Sequence, residues 1–222
     1  MSTTQWWWIR HAPVPDGGRI YGQTDLDCDC SDGAIFAALA REMPREAVWV
    51  TSQLRRATQT AAAIHAAMGQ AAEAIVVPDF AEQNLGEWQG LDRQEFLASR
   101  VPRRPFWFAP ANERAPGGES FDDLLARVHA AIARLTAQFA GQTIVAVTHG
   151  GTIKAALALA LRLDPEAALA FMIDNCSITR VDHLGADVVG PYDWRVAAVN
   201  HRPWTRAVAG EAPAAARGTA LA

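Results

Sequence analysis

The chain has 222 residues and a formal net charge of −4, and half of its residues are hydrophobic while a fifth are charged. This length and composition suit one globular domain with a sizeable core and exclude a largely disordered chain. The weakly acidic charge offers no overall attraction for nucleic acid or for an anionic membrane surface, so neither is an expected partner.

The N-terminal sequence lacks the pattern of a secretory signal, and no apolar run is long enough to span a membrane. The three cysteines, Cys28, Cys30 and Cys176, fit a reducing compartment, so a cytoplasmic location is expected. The spacing of Cys28 and Cys30 does not match a zinc site, and the sequence has no convincing cluster of metal-ligating residues. We therefore predict no metal site.

Hydrophobic periodicity and chain-breaking residues predict strands that alternate with helices. The predicted strands, in chain order, are 5–10, 47–51, 74–77, 143–148, 176–181 and 195–199. The predicted helices are 31–43 with Ser31 as its cap, 54–68, 92–100, 120–139 with a capping box, 151–161 and a short helix from 164. This alternation predicts an α/β three-layer sandwich, with a mostly parallel central sheet and helices on both faces.

The element order predicts a single domain over residues 1–206. Residues 79–118 lack strong periodicity and are rich in proline, arginine and aromatic residues near their end. We interpret this segment as an insertion over one end of the sheet. The Ala-rich residues 207–222 are expected to form a loose tail.

Unusual residues follow three of the predicted strands. The first strand ends in Arg10-His11, the second is followed by Arg56, and the fourth runs through His149 into a glycine pair and a helix. Ligands of open α/β sheets bind at the carboxyl ends of strands, and a helix N-terminus favours an anion. Each feature alone has a simple structural explanation, but arginine and histidine gathered at one edge imply an anion such as a phosphoryl group.

At this point the residues match a known family, because the chain resembles the histidine phosphatase superfamily over residues 5 to about 200. That group includes cofactor-dependent phosphoglycerate mutase, fructose-2,6-bisphosphatase and alpha-ribazole phosphatase. The matching motifs occur in the family's order: Arg10-His11-Ala12, the Ser-x-Leu-x-Arg-Ala-x-x-Thr stretch 52–60, Glu82 before the Gly-x-Trp-x-Gly run 86–90, and Thr-His-Gly-Gly at 148–151.

The resemblance implies a role for each matching residue. His11 attacks phosphorus and becomes a phosphohistidine, and Glu82 donates a proton to the leaving alcohol. The phosphoryl oxygens are held by Arg10, Arg56 and His149. The resemblance also implies substrate contacts by Gln23, Thr24 and Gly150. It implies a small phosphorylated substrate and requires no metal and no cofactor.

One departure from the family pattern is Ala12, which stands where glycine is usual and places a methyl group beside the nucleophile. The leading hypothesis is a phosphomonoester hydrolase, and the alternatives are a phosphoglycerate mutase-type isomerase and a non-catalytic phosphate-binding protein on the same fold. The substrate and the oligomeric state stay open. The insertion contains five arginines, 93, 100, 103, 104 and 114, which leave an acidic substrate open, although a solvated surface is the favoured interpretation for most of them. It also contains the aromatic residues Phe96, Phe106, Trp107 and Phe108, which can stack on a ring or form a local core.

Overall fold

The computed structural model describes residues 3–71, 73–104, 106–185 and 193–205, so the predicted tail at 207–222 lies outside the described residues. The described strands are Thr4–Arg10 (β1), Val48–Thr51 (β2), Ile75–Val76 (β3), Thr143–Thr148 (β4), Ile178–His183 (β5) and Trp194–His201 (β6). They form one six-stranded sheet in the order β3-β2-β4-β1-β5-β6, in which β5 alone runs in the opposite direction to the other five strands.

The described helices cover both faces of this sheet. They are Gly33–Glu42 (α1), Arg55–Met68 (α2), Arg93–Ser99 (α3), Phe121–Gln138 (α4), Gly150–Leu161 (α5) and Pro165–Ala168 (α6). None of the helices in the described ranges is long and apolar enough to cross a membrane.

Successive side chains of β4 point to opposite faces of the sheet and pack in two different parts of the core. Ile144 and Ala146 pack in one hydrophobic cluster with α4 and α5, whereas Val145 and Val147 pack in a second cluster with α1 and α2. Side chains alternate along a strand, so a continuous apolar run is what a strand covered on both faces requires. The predicted three-layer α/β fold with a mostly parallel sheet is confirmed.

Two predicted boundaries are wrong. The cap of α1 is Asp32 and not Ser31, because the Asp32 carboxylate accepts hydrogen bonds from two backbone N–H groups of the first turn. The fifth strand begins at Ile178 and not at residue 176, and Cys176 has a left-handed φ of 61° that departs from extended backbone.

The sheet register brings the predicted site residues to one edge. Arg10 at the end of β1 pairs with Thr148 at the end of β4, and Thr51 at the end of β2 pairs with Val147. The residues that follow these strand ends therefore leave the sheet side by side. His11 and His149 are two of them.

Candidate active site

His11 lies at the end of β1, and its side chain is only 1% exposed. Its Nδ1 atom is 2.7 Å from the carbonyl oxygen of Ala12. Because a carbonyl oxygen only accepts hydrogen bonds, Nδ1 carries the ring proton and Nε2 keeps its lone pair. Burial, and then the charges of Arg10 and Arg56, hold the pKa of His11 well below its usual value. The ring is therefore neutral at neutral pH, with Nε2 available as a nucleophile.

Hydrogen bonds fix the backbone around His11. The carbonyl oxygen of His11 accepts a bond of 2.7 Å from Asn175 Nδ2, and the Ala12 N–H donates to Thr60 Oγ1 at 2.8 Å. The Ala12 methyl group is fully buried and packs in the cluster beneath α1 and α2. The substitution of alanine for the usual glycine thus adds apolar contact next to His11.

Arg56, in the first turn of α2, is completely buried. Its Nη1 atom donates to the carbonyl oxygen of Thr24 at 2.9 Å, and Nη2 donates to that of Gly22 at 2.5 Å. Its Nε atom donates to Nδ1 of His149 at 3.3 Å. Three of the five guanidinium N–H groups are thereby engaged, and the orientation of the guanidinium plane is fixed.

His149 lies between Arg56 and Ser52, and its ring centroid is 5.2 Å from that of His11. Because Arg56 Nε can only donate, Nδ1 of His149 accepts, and the ring proton resides on Nε2, which donates to Ser52 Oγ at 2.7 Å. Burial, and then the charge of Arg56, hold the pKa of His149 well below its usual value. To contact a phosphoryl oxygen, this N–H has to exchange Ser52 for the ligand.

Arg10 contributes a buried donor with no partner. Its Nη1 atom donates to the carbonyl oxygen of Ile173 at 2.7 Å, but Nε has no hydrogen-bond partner in the described part of the chain. A Cβ atom placed on Gly150 would lie 3.7 Å from this Nε atom and 3.9 Å from Glu82 Oε2. Leaving a buried N–H unpaired costs about 1–3 kcal/mol, so this point beside Gly150 suits an anionic oxygen.

Glu82 reaches the same point from the loop that follows β3. The N–H of Gly151 donates to both carboxylate oxygens, at 3.1 and 3.3 Å, and the N–H of Gln83 donates to Oε1 at 3.0 Å. The carboxylate therefore lies at the N-terminus of α5, where the helix dipole favours negative charge. This position places a carboxyl group, which can donate or accept a proton, close to the unpaired Nε–H group of Arg10.

The two other acidic residues of this region are placed less suitably for proton transfer. Glu87 is exposed, and Glu119 forms an ion pair with Arg127 at 2.6 Å. Arg55, the neighbour of Arg56, faces outward and pairs with Asp27 at the surface.

The predicted substrate-binding residues fall into two groups. Gly150 lines the cavity described below. Gln23 Nε2 donates to the Glu82 carbonyl oxygen at 2.9 Å, and Thr24 holds Arg56 through its own carbonyl. These two residues therefore help to position Glu82 and Arg56, and their direct contact with a substrate stays a prediction.

A cavity of about 670 Å³ opens at this edge of the sheet. Arg10, Glu82 and Gly150 line its inner end. The insertion and the loop after α6 supply most of its other walls, including Phe106, Trp107, Phe108, Leu169, Phe171 and Met172. Such a volume accommodates a small organic ligand.

The insertion residues singled out in the sequence serve different purposes. Phe96 packs with Trp88 in a small separate cluster, so it belongs to a local core, whereas Phe106 and Trp107 face the cavity. Four of the five arginines pair with carboxylates: Arg93 with Asp16, Arg100 with Glu113, Arg104 with Glu166 and Arg114 with Asp123.

Within the described ranges, no three His, Cys, Asp or Glu side chains lie close enough together to hold a metal ion. The Sγ atoms of Cys28 and Cys30 are 3.5 Å apart. Burial raises the pKa of the Cys30 and Cys176 thiols to about 12, so both are protonated at neutral pH.

Sequence and structure comparisons identify relatives of the chain. The bifunctional protein Rv2228c of Mycobacterium tuberculosis is 40% identical over 132 residues, which are 58% of this chain and 35% of that protein. The chain thus spans about a third of the length of the first curated relatives it matches. The glucosyl-3-phosphoglycerate phosphatase of Mycolicibacterium vanbaalenii is 34% identical over 186 residues, covering 77% of this chain and 80% of that enzyme.

Among solved structures, the native mycobacterial glucosyl-3-phosphoglycerate phosphatase Rv2419c superposes with a TM-score of 0.74 at 28% identity, covering 90% of this chain and 99% of that one. The same enzyme has been solved in complex with VO3 and with inorganic phosphate. The family model of the histidine phosphatase superfamily (branch 1) matches residues 6–190. With its motif residues gathered at one sheet edge and the family model matching most of its length, the chain belongs to the histidine phosphatase superfamily.

Proposed function

We propose that the protein hydrolyses small phosphomonoesters through a phosphohistidine on His11. The observation that carries this proposal is the state of the His11 ring. Its Nδ1 proton is donated to Ala12, its Nε2 lone pair is free, and two arginines adjoin it. A neutral imidazole beside cationic donors matches what attack on an anionic phosphoryl group requires.

The reaction has two steps. In the first, Nε2 of His11 forms a bond to phosphorus while the ester P–O bond breaks, and the Glu82 carboxylic acid protonates the leaving alcohol. In the second, water attacks the phosphohistidine, the Glu82 carboxylate accepts the water proton, and the P–N bond breaks to release inorganic phosphate. Arg10, Arg56 and His149 are assigned to the phosphoryl oxygens in both steps.

The test is a rapid-quench experiment with a labelled phosphomonoester. We expect an acid-labile phosphoryl group on His11 and release of free phosphate, and we expect His11→Ala to abolish both while the protein stays folded. Hydrolysis by His11→Ala at the wild-type rate would exclude the mechanism. Interconversion of phosphoglycerates without phosphate release would point to the mutase instead, and binding without turnover would point to a phosphate-binding protein.

Independence from divalent metal is part of the same proposal, because Arg10 and Arg56 already supply positive charge at the phosphoryl site. Exhaustive chelation is expected to leave the rate unchanged. A rate that falls with chelator and returns with added magnesium or zinc contradicts this assignment.

A further inference from the structure

The loop that carries Glu82 is held by a side chain of α4. Residues 81–85 of this loop have no regular secondary structure, so the carbonyl oxygens in and beside this stretch need hydrogen-bond donors from elsewhere. Arg127 supplies donors to three of them. Its Nη1 atom donates to the carbonyl oxygens of Asp79 and Ala81 at 2.6 and 2.9 Å, and its Nη2 atom donates to that of Glu82 at 3.0 Å.

Glu119 completes the hydrogen bonding of this guanidinium group. Its Oε2 atom accepts from Nε of Arg127 at 3.1 Å, and its Oε1 atom accepts from Nη2 at 2.6 Å. The five N–H groups of Arg127 thus form five hydrogen bonds, and the forked pair with a carboxylate fixes the plane of the guanidinium group. Glu119 Oε1 also accepts from the backbone N–H of Asn84 at 2.8 Å, so the pair contacts the loop on both sides of Glu82.

Arg127 contacts Glu82 at the backbone, whereas the Glu82 carboxylate is held by the N–H groups of Gly151 and Gln83. The negative charge of Glu119 offsets that of Arg127, so the pair brings little net charge to the loop. Its influence on the acid is therefore through the position of the loop. Position matters for a general acid, because a displacement of about 1 Å can cost about 10²-fold in rate.

We propose that Arg127 is a positioning residue for the general acid, and that together with Glu119 it fixes the loop so that the Glu82 carboxyl group meets the leaving oxygen. Arg127 takes no part in proton transfer or in bond breaking. This inference rests on the proposed phosphatase function, because Glu82 is assigned there as the proton donor. A purely structural Arg127 would instead affect the stability of the fold, or the rates with all substrates alike.

The first experiment follows phosphorylation of His11 by rapid quench, with glycerol 3-phosphate and with p-nitrophenyl phosphate. Of these two probes, only the alkyl phosphate needs a proton on its leaving group. Arg127→Met keeps a side chain of similar length but removes the five donors. We expect it to slow the alkyl phosphate about tenfold more than the nitrophenyl phosphate, since a displaced acid loses part of its contribution. Arg127→Lys, with three donors, is expected to give a ratio between those of Arg127→Met and the wild type.

The matched control is Arg134→Gln, because Arg134 lies about two turns farther along α4 and also reaches the loop. It pairs with the Asp79 carboxylate at 3.2 Å, and the two side chains are 57% and 48% exposed. An exposed ion pair contributes little to stability. The ratio of the two rates in Arg134→Gln should therefore equal that of the wild type. The same change of ratio in Arg134→Gln as in Arg127→Met overturns the inference, because it shows no special role for Arg127.

A double-mutant cycle tests whether Arg127 acts through Glu82. The acid is absent in Glu82→Gln, so adding Arg127→Met to it is expected to leave the ratio of the two rates unchanged. A further change of about tenfold overturns the inference. Equal slowing of both probes by Arg127→Met alone, or a lower melting temperature with an unchanged ratio, also overturns it. If Arg127→Met does not fold, Arg127→Lys replaces it, and a wild-type ratio in that variant overturns the inference.

Failure of the proposed function gives a different result in the wild-type protein. It would appear as no phosphoryl group on His11 and no phosphate release from either probe, and the inference would fail with it. Wild-type turnover together with an unchanged ratio in Arg127→Met overturns the inference alone.

Discussion

The two ends of the cavity are built differently. At the inner end, which we propose holds the phosphoryl group and call the phosphoryl end, Arg10, Glu82 and Gly150 line the cavity. His11, Arg56 and His149 are buried close to this end on strand ends and first helical turns, and backbone carbonyls or neighbouring side chains fix their orientation. At the outer end, the walls come from loops, and Phe106 and Met172 are 61% and 70% exposed. The rigid end suits chemistry that needs fixed donors, and the loop end suits the choice of substrate.

This contrast implies two kinds of mutational effect. Changes at the phosphoryl end are expected to lower turnover for every substrate that needs the affected group. Changes at the outer end are expected to alter the relative efficiency of different substrates. Lys154 lies at the boundary, because it belongs to the rigid helix α5 but faces the loop walls.

Glu82→Gln is expected to produce the largest effect at the phosphoryl end among the variants that keep the nucleophile. Loss of a general acid typically costs 10²- to 10⁴-fold, so phosphorylation of His11 by an alkyl phosphate should slow by roughly that factor. The same step with p-nitrophenyl phosphate should be spared, because its leaving group needs no proton. Rapid-quench measurement isolates this step from hydrolysis of the phosphoenzyme, in which Glu82 also acts.

The matched control is Glu87→Gln, since Glu87 is exposed at the surface nearby. It should leave the rates with both substrates near those of the wild type. Equal losses for alkyl and nitrophenyl phosphates in Glu82→Gln, or a larger loss in Glu87→Gln, would assign the acid role to another residue.

A pair of glycine substitutions is expected to give a smaller and more local effect. A Cβ atom on Gly151 would lie 2.3 Å from Glu82 Oε1, which forces the carboxylate to move, whereas one on Gly150 meets only ordinary contacts at 3.7 Å and beyond. Gly151→Ala should therefore slow alkyl phosphates by about tenfold more than nitrophenyl phosphate, since a displaced acid loses part of its contribution. Gly150→Ala should not change the ratio between the two substrates.

The measurement is again the first step with both leaving groups. If Gly150→Ala and Gly151→Ala shift the ratio equally, then the contact between Gly151 and Glu82 does not control the acid. A drop in melting temperature alone, with the ratio unchanged, leads to the same conclusion.

Elements defined by local patterns could be predicted from the sequence. The fourth strand was predicted with the bounds of β4, and the capping box of Ser120 and Asp123 begins α4 as expected. The end of α2 is set by Gly69 in a left-handed conformation, as its glycine indicates. Short-range hydrogen bonding and periodicity determine these features, and both are visible in the sequence.

Contacts between distant segments could not be predicted in the same way. Nothing in the motif around Ser52 shows that its hydroxyl meets His149, which is 97 positions away, or that Asn175 holds the backbone of His11. The sequence does mark Lys154 as unusual, because it is the one charged residue in the mainly apolar helix α5. Its position in the cavity depends on the loops that cover that helix, and the course of these loops cannot be predicted from hydrophobic periodicity.

The smallest expected effect is a pH dependence of the free energy of unfolding, which differs between the two ends of the cavity. The folded-state pKa values of His11 and His149 are depressed, chiefly by burial, relative to the unfolded value near 6.5. Below pH 6.5 the unfolded chain therefore binds more protons than the folded one, so these groups destabilise the fold as the pH falls from that value toward the folded pKa. Each such histidine changes the free energy of unfolding by up to about 1.4 kcal/mol per pH unit in this window.

Urea unfolding between pH 7.5 and 5.5 measures this slope, and His149→Gln should reduce it relative to the wild type. Lys154→Gln is the matched control from the other end of the cavity. Below about pH 7 the lysine is protonated in both states, so its removal should leave the slope in that part of the range unchanged. Its folded pKa of about 8 lies below the unfolded value near 10.5, so its own contribution to stability increases as the pH rises between those two values. A change in the slope below pH 7 in Lys154→Gln would mean that the two ends do not titrate independently. An unchanged slope in His149→Gln would contradict a depressed folded-state pKa for His149.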